Sequence, residues 1–305
     1  MFNAKARFAL GSLFVALLAT TAIPPSALAA SQTTYASPDQ AVDRLAEAVR
    51  TGSPSAIGKV LGPGSARLIE SGDKVADKTG REKFIADYDQ AHKIDVQHAR
   101  AELILGTAQW PFPIPLVEKN GAWRFDTRAG ATEILDRRIG HDELTAIQTS
   151  RAIVDAQRDY ASEDRNGDGL LEYADRFVSS PGKHDGLYWP TTAGGKQSPL
   201  GPLVAQARAE GYPALRAPYH GYYFRMINAQ GPHAKGGPRD YRAHGHMIGG
   251  FAVVAYPAKW GDSGVMTFIV NQRGNVYEKN LGRDTQHLAQ AMKRYDPDPS
   301  WKRAP

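Results

Sequence analysis

The sequence contains no cysteine, and this absence restricts how the chain is stabilised. Without cysteine there are no disulfide bonds, so a packed apolar core must supply the stability of the protein. The absence also argues against a lipoprotein, because the lipid of such a protein is attached to a cysteine that follows the signal peptide.

Long apolar runs and strong charge are missing as well. Beyond the N-terminus, no stretch reaches the ~18 apolar residues of a membrane-spanning helix, so we predict no transmembrane segment in the mature chain. The net charge of +5 falls to about +3 without Lys5 and Arg7, and no dense Lys/Arg cluster is present. These features exclude nucleic acid as an expected partner.

The N-terminus has the pattern of a secretory signal peptide. Lys5 and Arg7 precede a short apolar stretch, and Ala27 and Ala29 occupy the A-x-A positions of a cleavage site. The apolar stretch is too short to span a bilayer. We therefore predict cleavage near Ala29 and a periplasmic or secreted location for the mature protein.

The first part of the mature chain predicts helices followed by strands. Ser37 as N-cap, Pro38 at the first helical position and Gly52 as the stop define a first helix. Three strand-like runs follow later, and the last two meet at Asn120-Gly121, a dipeptide typical of β-hairpins. This order predicts an α+β unit of the small cone-like kind.

The second part predicts a long helix packed on an antiparallel meander. The helix is expected to run from about Asp142 to Ser162, and four runs rich in β-branched and aromatic residues follow it. Its inward-facing residues are predicted to be Leu144, Ile147, Ile153, Val154 and Tyr160. The expected fold class is α+β, with two domains that each have helices packed on an antiparallel sheet. The predicted organisation is a signal peptide (1–29), an N-terminal domain (36–130), a connector (131–144) and a C-terminal domain (145–302).

The segment DRNGDGLLEYAD, residues 164–175, has the spacing of an EF-hand-like calcium loop. Oxygen-bearing side chains alternate along it, and Gly169 permits a sharp turn at the sixth position. Its carboxylates would repel one another without a cation. The predicted ligands are Asp164, Asn166, Asp168, the carbonyl of Leu170, Glu172 and Asp175.

A second interpretation of this loop stays open. The loop can also be a solvated turn in which Asp164 and Asp168 accept hydrogen bonds from backbone N–H groups. Asp175 is one methylene shorter than the usual Glu, as in dockerin-like loops, and predicts weak binding of ~10⁻⁴–10⁻³ M. If calcium binds, we expect a structural role, with Leu171 tying the loop to the core and a short helix after it.

Other reactive side chains each have a structural as well as a functional interpretation. His184 with Asp185 fits either an acid/base pair or a turn, and His244 with His246 fits either a transition-metal pair or two loop histidines. Ser263 in GDSGVM lacks the partners that a serine nucleophile needs. The charged patch, residues 137–143, fits either an anion site or ordinary salt bridges.

Several long strings resemble the domain of unknown function 2950 family of exported bacterial proteins. They include WPFPIPLVEKNGAWRFDT, SPGKHDGLYWP and GGFAVVAYPAKWGDSGVMTFIVNQRGNVYEKNLG, and the resemblance covers residues 36–302. It implies export and an envelope setting, but no reaction, substrate or catalytic residue. Separately, the long helix and the strands after it are similar to a pilin-type head.

The sequence thus favours an exported, non-catalytic envelope protein with a structural calcium site and a role in binding or assembly with an unknown envelope component. The alternative is a periplasmic hydrolase that acts on an envelope polymer through His184, Asp185 or the charged patch. Convergence of His184 and Asp185 with Arg138 or His220 in one cleft would favour the enzyme. The oligomeric state is not indicated.

Overall fold

The computed structural model describes residues 32–191, 194–212 and 217–305, so the predicted signal peptide lies outside the described residues. The helices are α1 (Pro38–Thr51), α2 (Pro54–Leu61), α3 (Ala66–Ile69), α4 (Lys74–Gln90), α5 (Thr127–Tyr160), α6 (Gly201–Ala209) and α7 (Thr285–Ala291). The strands are β1 (His92–Gln97), β2 (Arg100–Leu105), β3 (Trp110–Pro111), β4 (Leu116–Lys119), β5 (Ala122–Phe125), β6 (Tyr222–Ile227), β7 (Ala229–Gln230), β8 (Arg239–Asp240), β9 (Ala252–Pro257), β10 (Met266–Asn271), β11 (Tyr277–Asn280) and β12 (Lys302–Arg303).

The N-terminal part packs α1, α2 and α4 on an antiparallel sheet of order β1-β2-β4-β5, with β3 paired to β2. The helix signals act as predicted: the Ser37 hydroxyl accepts a hydrogen bond from the Gln40 N–H, and Gly52 ends α1 with φ of 66°. At the β4–β5 hairpin, Asn120 and Gly121 both have positive φ, at 55° and 75°. Positive φ at both central residues is what a type I′ turn requires, so the hairpin prediction is confirmed.

Helix α5 is much longer than predicted and joins the two halves of the chain. It begins after Asp126, whose side chain accepts a hydrogen bond from the Ala129 N–H, and it includes the predicted connector, residues 131–144. Its second half contacts β9 and β10 through apolar side chains. Of the predicted inward-facing residues, Ile147, Ile153, Val154 and Tyr160 are buried.

Leu144 was predicted to face inward, and that prediction is wrong: Leu144 is 57% exposed. The neighbouring Glu143 faces the sheet instead, because its carboxylate accepts hydrogen bonds from the N–H groups of Val265 and Met266, both at 2.9 Å. Since successive helical residues point about 100° apart, Leu144 then turns towards solvent.

The C-terminal part confirms the predicted antiparallel meander. Its sheet has the order β12-β11-β10-β9-β6, and every residue of β9 is buried. The helix predicted after the loop is absent, however. The backbone at Phe177 and Ser179 exchanges hydrogen bonds with Tyr188, both at 2.8 Å, so this segment is paired laterally instead of coiled.

The described chain is a mixed α+β protein with two apolar cores. One core lies between α1, α2 and the first sheet, and the other lies between α5 and the second sheet. The range Gln32–Pro305 is nevertheless one compact unit, so the division into two domains stays a prediction. Within the described ranges, no helix is both long enough and apolar enough to cross a membrane.

Candidate functional site

The first residue of the predicted calcium loop, Asp164, accepts hydrogen bonds from backbone N–H groups. Asp164 Oδ1 accepts hydrogen bonds from the N–H groups of Gly167 (2.7 Å) and Asp168 (3.2 Å), and Oδ2 accepts one from Gly169 (2.9 Å). The bond from Gly169 contributes most to lowering the pKa of Asp164. Asp164 therefore shapes the turn, as the second interpretation of the loop expects of it.

Three other loop residues converge, and a histidine from a distant segment joins them. Asn166 Nδ2 donates to Asp168 Oδ2 (2.7 Å) and to Glu172 Oε1 (2.6 Å). His246 Nδ1 lies 3.4 Å from Asp168 Oδ2 and 3.3 Å from Glu172 Oε2. One potential ligand atom each from Asp168, Glu172 and His246 lies within 4.8 Å of the others. The carboxylates of Asp168 and Glu172 thus lie close together, and both are contacted by Asn166 and by His246.

The remaining predicted ligands and the loop anchor lie elsewhere. Asp175 accepts hydrogen bonds from Arg176 Nε (2.8 Å) and Arg242 Nη2 (2.7 Å), and these two guanidinium groups lower its pKa against the effect of burial. Leu170 is 42% exposed, and Leu171 is 61% exposed. The expectation that Leu171 ties the loop to the core is wrong; instead, Glu172 Oε2 accepts a hydrogen bond from the Met247 N–H at 3.0 Å.

The His184–Asp185 pair lies in an irregular segment that follows a turn at residues 181–182. The His184 ring stacks on Trp189, with ring centroids 4.2 Å apart. Asp185 accepts hydrogen bonds from the N–H (2.7 Å) and the hydroxyl (2.8 Å) of Ser180. Neither side chain converges with Arg138 or His220, so the geometric condition set for the enzyme interpretation is not met by this pair.

The other two candidates, the His244–His246 pair and Ser263, also form no transition-metal pair or catalytic arrangement in the described chain. Of the predicted His244–His246 pair, His246 belongs to the loop cluster, whereas His244 is exposed and is not part of that cluster. Ser263 is fully buried, and its hydroxyl donates to the Gly221 carbonyl at 2.9 Å and accepts from the Lys259 N–H at 3.0 Å. These hydrogen bonds fix the backbone before β10.

A cavity of about 670 Å³ lies in the N-terminal part of the described chain. It lies between α1, α2, α4, the first half of α5 and the sheet, and it opens beside the exposed Gly80 and Trp110. Most of its wall is apolar. Residues that represent each wall are Leu45 and Val49 of α1, Ile57 of α2, Phe84 of α4, Leu105 of β2 and Ile134 of α5.

One end of this cavity is polar and includes part of the charged patch. The name polar end denotes the lining residues Asp77 and Arg81 of α4 and Arg138, His141 and Asp142 of α5. The charge of Arg138 acts on Asp77 and Asp142, and His141 contacts Asp142. Arg138 donates from Nη1 to the Arg67 carbonyl (2.9 Å) and from Nη2 to the Leu68 carbonyl (2.8 Å). The cavity therefore combines a long apolar wall with a small set of charged groups, the usual composition of a small-molecule site.

Asp142 is the most perturbed acid at the polar end. It is only 5% exposed, and its Oδ1 lies 3.2 Å from His141 Nδ1. Burial raises its pKa to about 6, although His141 and Arg138 act in the opposite direction. The His220 ring lies 5.6 Å from the His141 ring, and His220 Nε2 lies 2.9 Å from Glu210 Oε2.

The cavity was not predicted from the sequence, although two signals point to it. Helix α4 carries a glycine, Gly80, in its interior, and Tyr88 is the one buried residue that it contributes. A helix that covered a filled core would bury a continuous apolar stripe. The weak stripe of α4 reflects the empty space beneath it.

The fold class of the chain is α+β, and its family follows from a direct comparison. The family model described as "Protein of unknown function (DUF2950)" matches residues 32–304, nearly the whole described chain. The chain belongs to this family, as its sequence strings predict. No curated protein and no solved structure matches the chain.

Proposed function

We propose that this chain is an exported, non-catalytic binding protein of the cell envelope, periplasmic or secreted, and that its N-terminal cavity holds a small apolar or amphiphilic molecule. The observation that carries this proposal is the size and lining of the cavity. Its volume of about 670 Å³ falls within the ~300–1,000 Å³ that is typical of small-molecule sites.

The burial pattern of the walls supports a bound molecule. Phe84 of α4 and Ile134 of α5 point into the cavity and remain only half-buried in the described chain. A ligand that covered these side chains would gain roughly 25 cal/mol for each Å² of apolar surface removed from water. The walls offer this gain to any molecule of suitable shape.

A neutral fluorescent probe tests the proposal directly. We expect N-phenyl-1-naphthylamine to bind saturably, with one site per chain. Ala76→Trp places an indole in the cavity wall and should abolish this binding, whereas Ala86→Trp, on the exposed side of the same helix, should leave it intact. Absence of saturable binding to the wild type, or equal binding by both variants, would contradict a cavity ligand.

We also propose that the loop over 164–175 holds calcium as a structural ion. The convergence of Asp168 and Glu172 with Asn166 supports it, since two carboxylates at one centre favour a cation. The proposed ligands remain the six predicted ones, but Asp164 and Asp175 would have to exchange their present hydrogen bonds for the ion. His246 is a seventh candidate that the loop sequence does not contain.

Thermal unfolding with calcium and with a chelator tests this second part. For a dissociation constant of ~1 mM, about 10 mM calcium should stabilise the fold by about 1.4 kcal/mol, or roughly 3–6 °C in Tm. Asp168→Asn should remove most of the shift, and Asp155→Asn, an exposed carboxylate on α5, should keep it. An unchanged Tm in the wild type would count against the ion.

The hydrolase remains the second candidate, and one observation favours it. Asp142, with a pKa of about 6, lies beside His141 at the polar end of the cavity, and a carboxyl group with a raised pKa is typical of general acid–base catalysis. A panel of chromogenic esters and envelope polymers would test it. Turnover that Asp142→Asn removes while probe binding persists would replace the non-catalytic proposal.

A further inference from the structure

The carboxylates that line the cavity already have partners. Asp87 Oδ2 accepts a hydrogen bond from Lys83 Nζ at 2.9 Å. Both oxygens of Asp77 lie within 3.2 Å of the Ser71 N–H, which donates to them. Burial raises the pKa of Asp77, as it does for Asp142, so these two groups hold their negative charge less firmly than exposed carboxylates do.

The guanidinium groups of the polar end are not matched in the same way. Arg81 has no hydrogen bond or ion pair within the described ranges, and every Asp and Glu of the sequence lies in those ranges. Arg138 donates hydrogen bonds to two backbone carbonyls and forms no ion pair in the described chain, although its charge acts on Asp77 and Asp142. A guanidinium group stays protonated throughout the physiological pH range and retains further N–H donors.

Both arginines line the cavity. Arg81 lies one helical turn after Asp77, so both side chains project from one face of α4. Arg138 is close enough to Asp77 and to Asp142 for its charge to lower the pKa of both acids. The polar end thus presents two guanidinium groups, with His141 beside them, together with the carboxyl groups of Asp77 and Asp142, whose pKa values burial raises.

We infer that the cavity takes a single-tailed amphiphile with an anionic head group, a carboxylate or a phosphate ester, whose tail lies along the apolar wall and whose head lies between Arg81 and Arg138. The inference rests on the proposed function and specifies its ligand class. Arginine suits both head groups, because its planar fork can donate two parallel N–H bonds to their oxygens.

Competition against N-phenyl-1-naphthylamine tests the head group. Dodecanoate, dodecyl phosphate, dodecylamine and dodecanol share one tail and would be compared below their micelle concentrations. We expect at least one of the two anions to displace the probe at a concentration at least roughly tenfold lower than the amine or the alcohol, as a charge-assisted hydrogen bond implies. The anion that displaces better identifies the head group. Equal displacement by the amine or the alcohol would overturn the inference.

Two arginine variants and a matched control locate the head group. Arg81→Gln and Arg138→Gln should each weaken binding of the better anion by roughly tenfold and leave the neutral probe unaffected. Arg128→Gln, an exposed arginine on α5 outside the cavity, should change neither. Arg138→Gln also loses two hydrogen bonds to the backbone and can impair folding. Arg81 has no partner in the described chain, so Arg81→Gln tests the head-group site without this complication. Unchanged anion binding by Arg81→Gln would refute the inference, whereas a wild type that binds no probe would refute the cavity site itself.

Discussion

Gly80 offers the sharpest test of the cavity, because the change that fills the space should also stabilise the fold. It lies in the interior of α4 and lines the cavity, and a Cβ added there would meet nothing within 4 Å. Glycine in a helix interior costs about 1 kcal/mol relative to a good helix former. Gly80→Leu should therefore gain about 1 kcal/mol from helix propensity, and up to roughly 2 kcal/mol more if its side chain is buried in the cavity.

Gly140 provides the matched control for this prediction. It lies in the interior of α5, is exposed, has equally open space at its Cβ and does not line the cavity. Gly140→Leu should gain only the helix-propensity part, and it should bind N-phenyl-1-naphthylamine as the wild type does. Gly80→Leu should be the more stable of the two in urea unfolding and should bind the probe at least roughly tenfold more weakly.

The result that would refute this reasoning is equally clear. If Gly80→Leu and Gly140→Leu bound the probe with the same affinity, the space beside Gly80 would not be the site that the probe occupies. If Gly80→Leu were less stable than the wild type, the space itself would be absent in solution.

The remaining predictions concern stability. Asp142 has a folded pKa of about 6, above its unfolded value of 3.8, so its ionisation opposes folding, and stability is lost as the pH rises from about 4 to 7. Urea unfolding should show the wild type losing on the order of 2–3 kcal/mol more than Asp142→Asn over this range; parallel profiles would contradict it. Gly130→Ala should destabilise by roughly 1–3 kcal/mol, because its Cβ would lie 2.4 Å from the Pro113 carbonyl oxygen; a Tm equal to that of the wild type would contradict this contact. Asp73→Ala should destabilise the fold by more than the ~1 kcal/mol that loss of an ordinary N-cap costs, because it also removes the hydrogen bond from the Tyr212 hydroxyl. Comparison with Tyr212→Phe and with the double variant measures the contribution of this hydrogen bond to the stability.

The elements that were predicted from the sequence are those whose signals are local. Ser37 and Gly52 act on the ends of one helix, and Asn120-Gly121 acts on one turn, so a few neighbouring residues determine each outcome. The meander followed from short connections between β-branched runs. These signals carry the fold class and most of the element order.

The features that were not predicted depend on contacts between distant segments. Leu144 faces water because Glu143 binds the backbone of a strand more than a hundred residues away. Asp175 lies away from the other loop carboxylates because it pairs with Arg242. His246, from the same distant segment, lies beside Glu172 in the loop cluster. Spacing within a twelve-residue loop contains no information about such partners. The cavity belongs to the same class, since it is defined by the separation of helices.

That separation needs an explanation, because an unfilled apolar space tends to close as its walls relax. The C-terminal half holds both walls at fixed points. Asp73 caps α4 through hydrogen bonds to the N–H groups at its start and also accepts hydrogen bonds from the Tyr212 hydroxyl and the Gly221 N–H, both at 2.9 Å. Glu143 fixes α5 to the start of β10. Tyr212, Gly221 and the start of β10, all in the C-terminal half, therefore fix the positions of α4 and α5, between which the cavity lies.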